Sequence, residues 1–138
     1  MAATVAFKLI TPTQVVFDGQ AELVIAVTTE GEEGILAKHA PFLAALRPGV
    51  LRANVAAEGK TERLELATGE GFMQALPDRV TILVDEALRF EDVDVARARE
   101  ELSAATERQK GQAIDSPAFA REQAAIDFAN AKLRLTGH

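Results

Sequence analysis

The sequence contains no cysteine, no tryptophan and no tyrosine, and only two histidines among its 138 residues. Without cysteine, neither disulfide bonds nor thiolate metal sites can form. No apolar run approaches the roughly 18 residues that a membrane-spanning helix needs. The amino terminus also lacks the cationic start of a signal peptide. We therefore expect a soluble chain that reaches a membrane only through a partner.

Basic residues are fewer than acidic ones: the chain has 15 lysines and arginines and 21 aspartates and glutamates, which gives a formal net charge of −6. Such a surface repels phosphate backbones and anionic lipids, so nucleic acid is a poor partner. Hydrophobic residues make up 48% and charged residues 26% of the chain. That balance is typical of a globular protein with one real core.

Residues 1–87 alternate between apolar and polar side chains with the period of two that strands show, for example at Leu51, Ala53 and Val55. Turn signals interrupt the alternation at Asp18-Gly19, Gly31-Glu32-Glu33-Gly34, Arg47-Pro48-Gly49, Glu58-Gly59, Gly69-Glu70-Gly71 and Pro77-Asp78. Because the short strands follow one another without helical spacers, we predict an antiparallel β-sandwich or flattened barrel.

Residues 88–138 change to the period of a helix. One apolar face comprises Val95, Ala98, Leu102 and Ala105, and a second comprises Ala120, Ala124, Phe128, Ala131 and Leu135. Gly111 is a plausible stop, and Ser116-Pro117 supplies a cap followed by a first-turn proline. We predict an antiparallel two-helix hairpin, which makes the whole chain an α+β protein.

The predicted hairpin is rich in alanine, which buries little area at about 25 cal/mol per Å². We therefore expect it to be stabilised by the β part or by a partner. Arg97 and Glu101 lie four residues apart on the first helix, a spacing that could give a weak ion pair.

No group of residues predicts catalysis or a metal site. His39 has no serine within five residues and the chain has no cysteine, so a hydrogen-bonded or interface histidine is expected there rather than a general base. Glu32 and Glu33 are adjacent, and adjacent strand residues point to opposite faces. They are expected to be solvated charges.

The start of the first helix is a candidate anion contact. Asp94 and Arg97 share a helical face, and Asp94 lies near the positive end of the helix dipole. An exposed arginine there could hold a phosphate, whereas the alternative is a capped helix with a surface ion pair.

Five segments together resemble the epsilon subunit of F-type ATP synthases, the counterpart of the mitochondrial delta subunit. They are Phe17-Asp18-Gly19, the run from Gly34 to Leu43 that includes His39-Ala40-Pro41, Leu46-Arg47-Pro48-Gly49, Val80 to Asp85, and Val93-Asp94-Val95-Ala96-Arg97-Ala98. They occur in the family's order and cover almost the entire chain.

This resemblance implies a non-catalytic subunit of the central stalk, on the cytoplasmic face of the bacterial inner membrane. In the family, the sandwich lies between the gamma subunit and the c-ring, turns with the rotor and couples proton flow to ATP synthesis. By resemblance, Glu30, Gly31, Glu32 and Glu33 face the c-ring, and His39 and Pro41 lie near a rotor interface. The hairpin of many relatives reaches the alpha and beta subunits and restrains ATP hydrolysis.

The resemblance also implies an ATP contact at Asp94, Arg97 and Ala98, which match the family's nucleotide motif. Leu88 and Ala104 stand where ATP-binding relatives carry an acidic and a basic residue. We therefore predict no required cofactor, and ATP binding that is weak or absent.

Two other classes of protein are alternatives to this interpretation. A free-standing β-sandwich adaptor for protein interactions would also lack catalytic residues, but would not explain the ordered motifs. A small-molecule enzyme of sandwich fold would require convergent polar residues that the sequence does not provide.

Overall fold

The computed structural model describes residues 3–138 and places nine strands before two helices. The strands are β1 (Val5–Ile10), β2 (Val15–Thr28), β3 (Gly31–Ile35), β4 (Phe42–Leu46), β5 (Gly49–Ala57), β6 (Lys60–Thr68), β7 (Gly71–Leu76), β8 (Arg79–Val84) and β9 (Ala87–Leu88). A short 3₁₀ turn at Phe90–Asp92 leads to helices α1 (Val95–Lys110) and α2 (Pro117–Leu135). The predicted order of a β-sandwich followed by two helices is confirmed.

Strand pairing forms a flattened barrel in which β2 belongs to both layers. One layer runs β1-β8-β7-β4, with β1 parallel to β8 and the other pairs antiparallel. β2 pairs with β1 through its first half, and with β5 and β3 through its second half. β6 and β9 extend the second layer beyond β5.

The core lies between these layers and is built from the inward-facing half of each alternating strand. Its largest fully buried side chains are Phe7, Leu9, Ile35, Leu51, Leu66, Met73 and Ile82. They come from β1, β3, β5, β6, β7 and β8. In each of these strands, the apolar side chains on one face point into the same core. Within residues 3–138, no helix is both long and apolar enough to cross a membrane.

The prediction of a hairpin turn at Asp18-Gly19 is wrong. Both residues lie inside β2, where they pair with Lys8 and Phe7. The chain reverses earlier, where the Thr11 N–H donates to the Gln14 carbonyl at 2.9 Å. A Cβ at Gly19 would lie 3.0 Å from the ring of Phe17, so this glycine leaves room for an aromatic side chain instead of making a turn.

The turn predicted at residues 31–34 is displaced towards the amino terminus. The chain reverses at Thr29 and Glu30, and Gly31 already begins β3. The Thr28 hydroxyl donates to the Gly31 carbonyl at 2.7 Å and accepts from the Glu30 N–H at 3.1 Å. Gly31 has φ of +117°, a conformation that side chains other than hydrogen rarely tolerate. Together these contacts complete the reversal before residue 32.

The end of α1 and the start of α2 lie where the sequence predicts. Asp94 caps α1 and Ser116 caps α2, each by accepting a hydrogen bond from a backbone N–H of the first turn. Pro117 is the first residue of α2, and Gly111 follows the last residue of α1. Of the predicted second stripe, Ala120 is exposed, because the apolar contacts of α2 with the sheet are made by its carboxyl-terminal half.

The hairpin contacts the β part through a small apolar cluster. Val50 of β5 and Ala67 of β6 pack against Phe128, Ala131 and Leu135 of α2. This cluster is separate from the main core, which contains residues of the β part alone. The sequence indicated that the β part ends at residue 87 and the hairpin part begins at residue 88. The last strand, β9, contains both residues, so the β part extends beyond that boundary.

We expect residues 1–92 to fold without the hairpin, because their core does not use it. Removing the hairpin uncovers Val50 and Ala67, so the free energy of unfolding should fall by about 1–2 kcal/mol. Denaturant melts of residues 1–92 and of the full chain measure this difference. Residues 93–138 alone, as the matched fragment, should show no cooperative transition. Loss of cooperative unfolding in residues 1–92 would contradict the expectation.

Candidate functional site

A cleft of about 550 Å³ lies between the hairpin and the connections at one end of the sheet. Arg97 lines it, together with Ala104 of α1 and Phe128 of α2. The carboxylate of Asp94 accepts the backbone N–H of Arg97 at 3.1 Å and so serves as a helix cap. Ala98 is buried. Of the three residues that match the nucleotide motif, Arg97 is the one whose side chain faces the cleft.

The electrostatics of this cleft are mixed. Its cationic side chains are Arg97, Arg108, Arg121 and Lys132, and its acidic ones are Glu70, Asp85, Glu86, Glu100 and Glu101. The Arg108 Nε donates to Glu122 at 2.9 Å, and this hydrogen bond, helped by the charge of the carboxylate, raises the pKa of Arg108. Arg97 and Arg121 form no ion pair within the described residues. The cleft therefore offers an anion few unengaged cations.

A buried lysine joins the two helices at the wall of the cleft. Lys132 of α2 donates to the Glu101 carboxylate of α1 at 2.6 Å, and its ammonium lies 4.7 Å from the ring centre of Phe128. The predicted pairing of Glu101 with Arg97 is therefore wrong. The Lys132 side chain is largely removed from water, so leaving its charge unpaired would cost more free energy than leaving the exposed Arg97 unpaired.

The acidic segment after β2 divides between two surfaces. Glu30 is exposed at the reversal, and Glu33 pairs in register with Ala26. Glu32 pairs in register with Val27, so it points to the face opposite Glu33, as expected for adjacent strand residues. Its carboxylate accepts from Arg52 of β5 at 2.6 Å. Glu32 therefore belongs to the outer face of the β5 layer and is not a free turn charge.

His39 lies in the connection between β3 and β4, half-buried, and its ring packs against Phe42 with 5.0 Å between ring centres and 58° between ring planes. Its Nδ1 is 2.8 Å from the Ala40 carbonyl oxygen. Because a carbonyl oxygen only accepts, Nδ1 carries the proton in this contact. Lys38 has φ of +65°, and its N–H donates to the Pro77 carbonyl at 2.8 Å, which fixes the loop. Pro41 is exposed beside it.

The structure also shows an outer apolar patch that the sequence analysis missed, comprising Leu43, Ala45, Phe72 and Leu83. Phe72 lies between Ala45 and Leu83 in the strand register, so all three share one face of the β4-β7-β8 layer. The exposed fractions of Leu43, Phe72 and Leu83 are 71%, 58% and 45%. An uncovered apolar surface of this kind is typical of a protein contact.

This patch adjoins the acidic reversal. The Thr29 N–H donates to the Ala45 carbonyl at 3.1 Å. A signal for the patch was present in the sequence, since Leu43, Phe72 and Leu83 fall in the phase of their strands opposite to the core residues. In the part of the chain that the structure describes, no three histidine, aspartate or glutamate side chains are grouped as a metal site would need.

Comparison with known proteins gives a consistent family. Residues 4–90 match the family model described as the β-sandwich domain of the ATP synthase delta/epsilon chain. ATP synthase epsilon chains of Chromobacterium violaceum and Shouchella clausii are 39% identical over 127 residues and 38% identical over 136 residues. These matches cover 92% and 99% of this chain, and 89% and 97% of the two relatives.

Solved structures share the fold at lower identity. A chain in the Euglena gracilis mitochondrial ATP synthase, determined with its c-ring, has a TM-score of 0.78 and 21% identity, covering 100% of this chain and 84% of that one. A chain of the Tetrahymena thermophila central stalk and c-ring has a TM-score of 0.62 and 20% identity, with 98% of both chains covered. The likeness includes the helical hairpin as well as the β part.

We predict that Glu101→Gln lowers the free energy of unfolding by about 1–2 kcal/mol, because it leaves the Lys132 ammonium buried without its carboxylate. Denaturant melts followed by helical circular dichroism measure the loss. Glu107→Gln is the matched control, since it breaks the exposed pair with Lys110 and should change stability by less than about 0.5 kcal/mol. Equal effects of the two substitutions would show that burial of Lys132 is unimportant.

Proposed function

The chain belongs to the ATP synthase delta/epsilon chain family, and on that premise we propose that it joins the gamma subunit to the c-ring in the central stalk of an F-type ATP synthase. It turns with the rotor and helps couple proton flow to ATP synthesis. It performs no catalytic step itself. It lies on the cytoplasmic face of a bacterial inner membrane, held there through the complex.

The observation that carries this proposal is the match along nearly the full length of the epsilon chains, through both the sandwich and the hairpin. An adaptor that merely shared the sandwich would not require the hairpin to match as well. Co-purification of this chain with gamma and the c-ring tests the proposal directly, and a chain that purifies free of both subunits would contradict it.

The outer apolar patch is the surface we assign to gamma. Leu43, Phe72 and Leu83 offer a flat, rigid face on paired strands, where burial against another protein removes apolar area from water. On the β5 layer, by contrast, α2 covers the apolar residues Val50 and Ala67. We place His39 and Pro41 near the same rotor interface.

The acidic reversal is the part we assign to the c-ring. Glu30 and Glu33 are exposed, and neither forms an ion pair in the described range. The Thr28 hydroxyl fixes the reversal by donating to the Gly31 carbonyl and accepting from the Glu30 N–H. Exposed carboxylates on a fixed turn suit a polar contact that sets orientation. Glu32 contributes less to this contact, because Arg52 already occupies its carboxylate.

We predict that Phe72→Asp weakens binding to purified gamma at least about tenfold, because a carboxylate would be buried in an apolar contact. Calorimetric titration of gamma measures the change. Phe72→Leu keeps an apolar side chain and should retain binding within about threefold. Asn54→Asp adds the same charge on the opposite layer, where it should have no effect. Unchanged binding of the Phe72→Asp variant would show that gamma contacts a surface other than the outer apolar patch.

We also predict that ATP binds with a Kd above about 1 mM, which corresponds to less than about 4 kcal/mol. Two of the four cations in the cleft are already paired, and several carboxylates face the same space. Titration calorimetry with the full chain measures the affinity, and Arg97→Ala should leave it unchanged. A submillimolar Kd that is lost in Arg97→Ala would contradict the prediction.

A further inference from the structure

One polar contact joins the β part to the hairpin. Among residues 3–138, the single hydrogen bond or ion pair between the strands with their connections and α1 or α2 runs from Arg47 Nη2 to Asp127 Oδ2, at 3.3 Å. The other ion pairs lie within the β part or within the hairpin. The docked position of α2 thus depends on one ion pair and one apolar cluster.

Both members of this pair are held in place by their own surroundings. Arg47 lies in the connection from β4 to β5, and its backbone N–H donates to the Val27 carbonyl at 2.9 Å. Pro48 and Gly49 follow it and are buried. A Cβ at Gly49 would lie 2.7 Å from a methyl group of Val27, so this connection is packed tightly against β2. The arginine is therefore presented from a fixed backbone.

Asp127 connects the pair to both helices. Its second oxygen accepts from Gln123 Nε2 at 3.0 Å, and the side-chain Oε1 of Gln123 accepts from Gln109 Nε2 of α1 at 2.8 Å. A continuous set of hydrogen bonds thus runs from the sheet through α2 to α1. The Asp127 side chain is only 16% exposed, so little water can reach its carboxylate. Without Arg47, the amide of Gln123 would be its remaining side-chain partner, and the buried charge would be poorly compensated.

The apolar contribution to docking is small enough for this pair to matter. The cluster contains two alanines, and Val50 is its largest residue from the sheet. Burial of so little area leaves the docked and undocked hairpins close in free energy. A partly buried ion pair can then decide which of the two positions is populated.

We propose that the Arg47–Asp127 ion pair is a latch: when it is formed, α2 lies docked on the β5–β6 face, and when it is broken, α2 leaves that face and carries α1 with it. The latch is a property of the chain alone and does not depend on the proposed place in the stalk. Because Arg47 is half exposed, the latch is open to screening by salt.

Hydrogen exchange of the full chain, followed by mass spectrometry, tests the latch. Amides of α2 should exchange about 3–10-fold faster in Arg47→Gln and in Asp127→Asn, since exchange through local opening follows the population of the open state. The double reversal Arg47→Glu with Asp127→Arg should restore exchange to within about threefold of the original chain. Amides of β8 report in the same experiment whether the β part remains folded.

Two controls complete the test. Glu107→Gln breaks the exposed pair with Lys110 inside α1 and should leave exchange in α2 unchanged. Raising sodium chloride from about 0.05 to 0.5 M should speed exchange in the original chain but not in Asp127→Asn. The latch would be overturned by unchanged exchange in the single variants, by a double reversal that restores nothing, or by an equal effect of Glu107→Gln.

Discussion

Backbone pairing along β2 holds the two layers of the protein together. Its first half pairs with β1 and its second half with β5 and β3, and Ala21 at the junction pairs with both Val5 and Val55. Ala21 is fully buried, since both layers close over it. A strand that pairs on both sides at its midpoint cannot slip in register without moving its neighbours in both layers. The positions of the acidic reversal, the apolar patch and the hairpin all follow from this one strand.

The two outer faces of the barrel are used differently. The β5–β6 face carries Val50 and Ala67 and is covered by α2, whereas the β4-β7-β8 face leaves Phe72 and Leu83 in water. One apolar face is thus satisfied within the chain and the other is available to a partner. Apolar side chains on the same strands thus form the core between the layers, a contact with α2 on one outer face and an exposed patch on the other.

The sequence predicted the strands and helices well wherever local chemistry determines them. Ser116-Pro117 and Gly111 define helix ends through backbone hydrogen bonds that neighbouring residues supply, so no knowledge of tertiary structure was needed. Asp18-Gly19 was misinterpreted because a glycine that makes room for a side chain and one that makes a turn look alike in sequence. Residue 19 must be glycine because the Phe17 ring lies against it. That ring packs on Phe7 across the strand pair, with 5.4 Å between ring centres. The partners of Glu101 and Glu32, Lys132 and Arg52, could not be predicted, because each pair joins distant parts of the chain.

The parallel pairing of β1 with β8 has a consequence for the order of events on the ribosome. Residues 5–10 lie beside residues 79–84, so the barrel cannot close until nearly the whole β part has been synthesised. At the usual 5–20 residues per second, residues 92–138 take about 2 to 9 seconds more to appear. For that interval a closed barrel would expose Val50 and Ala67 as well as Phe72 and Leu83, so both outer faces would present apolar side chains to water. Synthesis of α2 ends this exposure on one side, because Phe128, Ala131 and Leu135 then cover Val50 and Ala67.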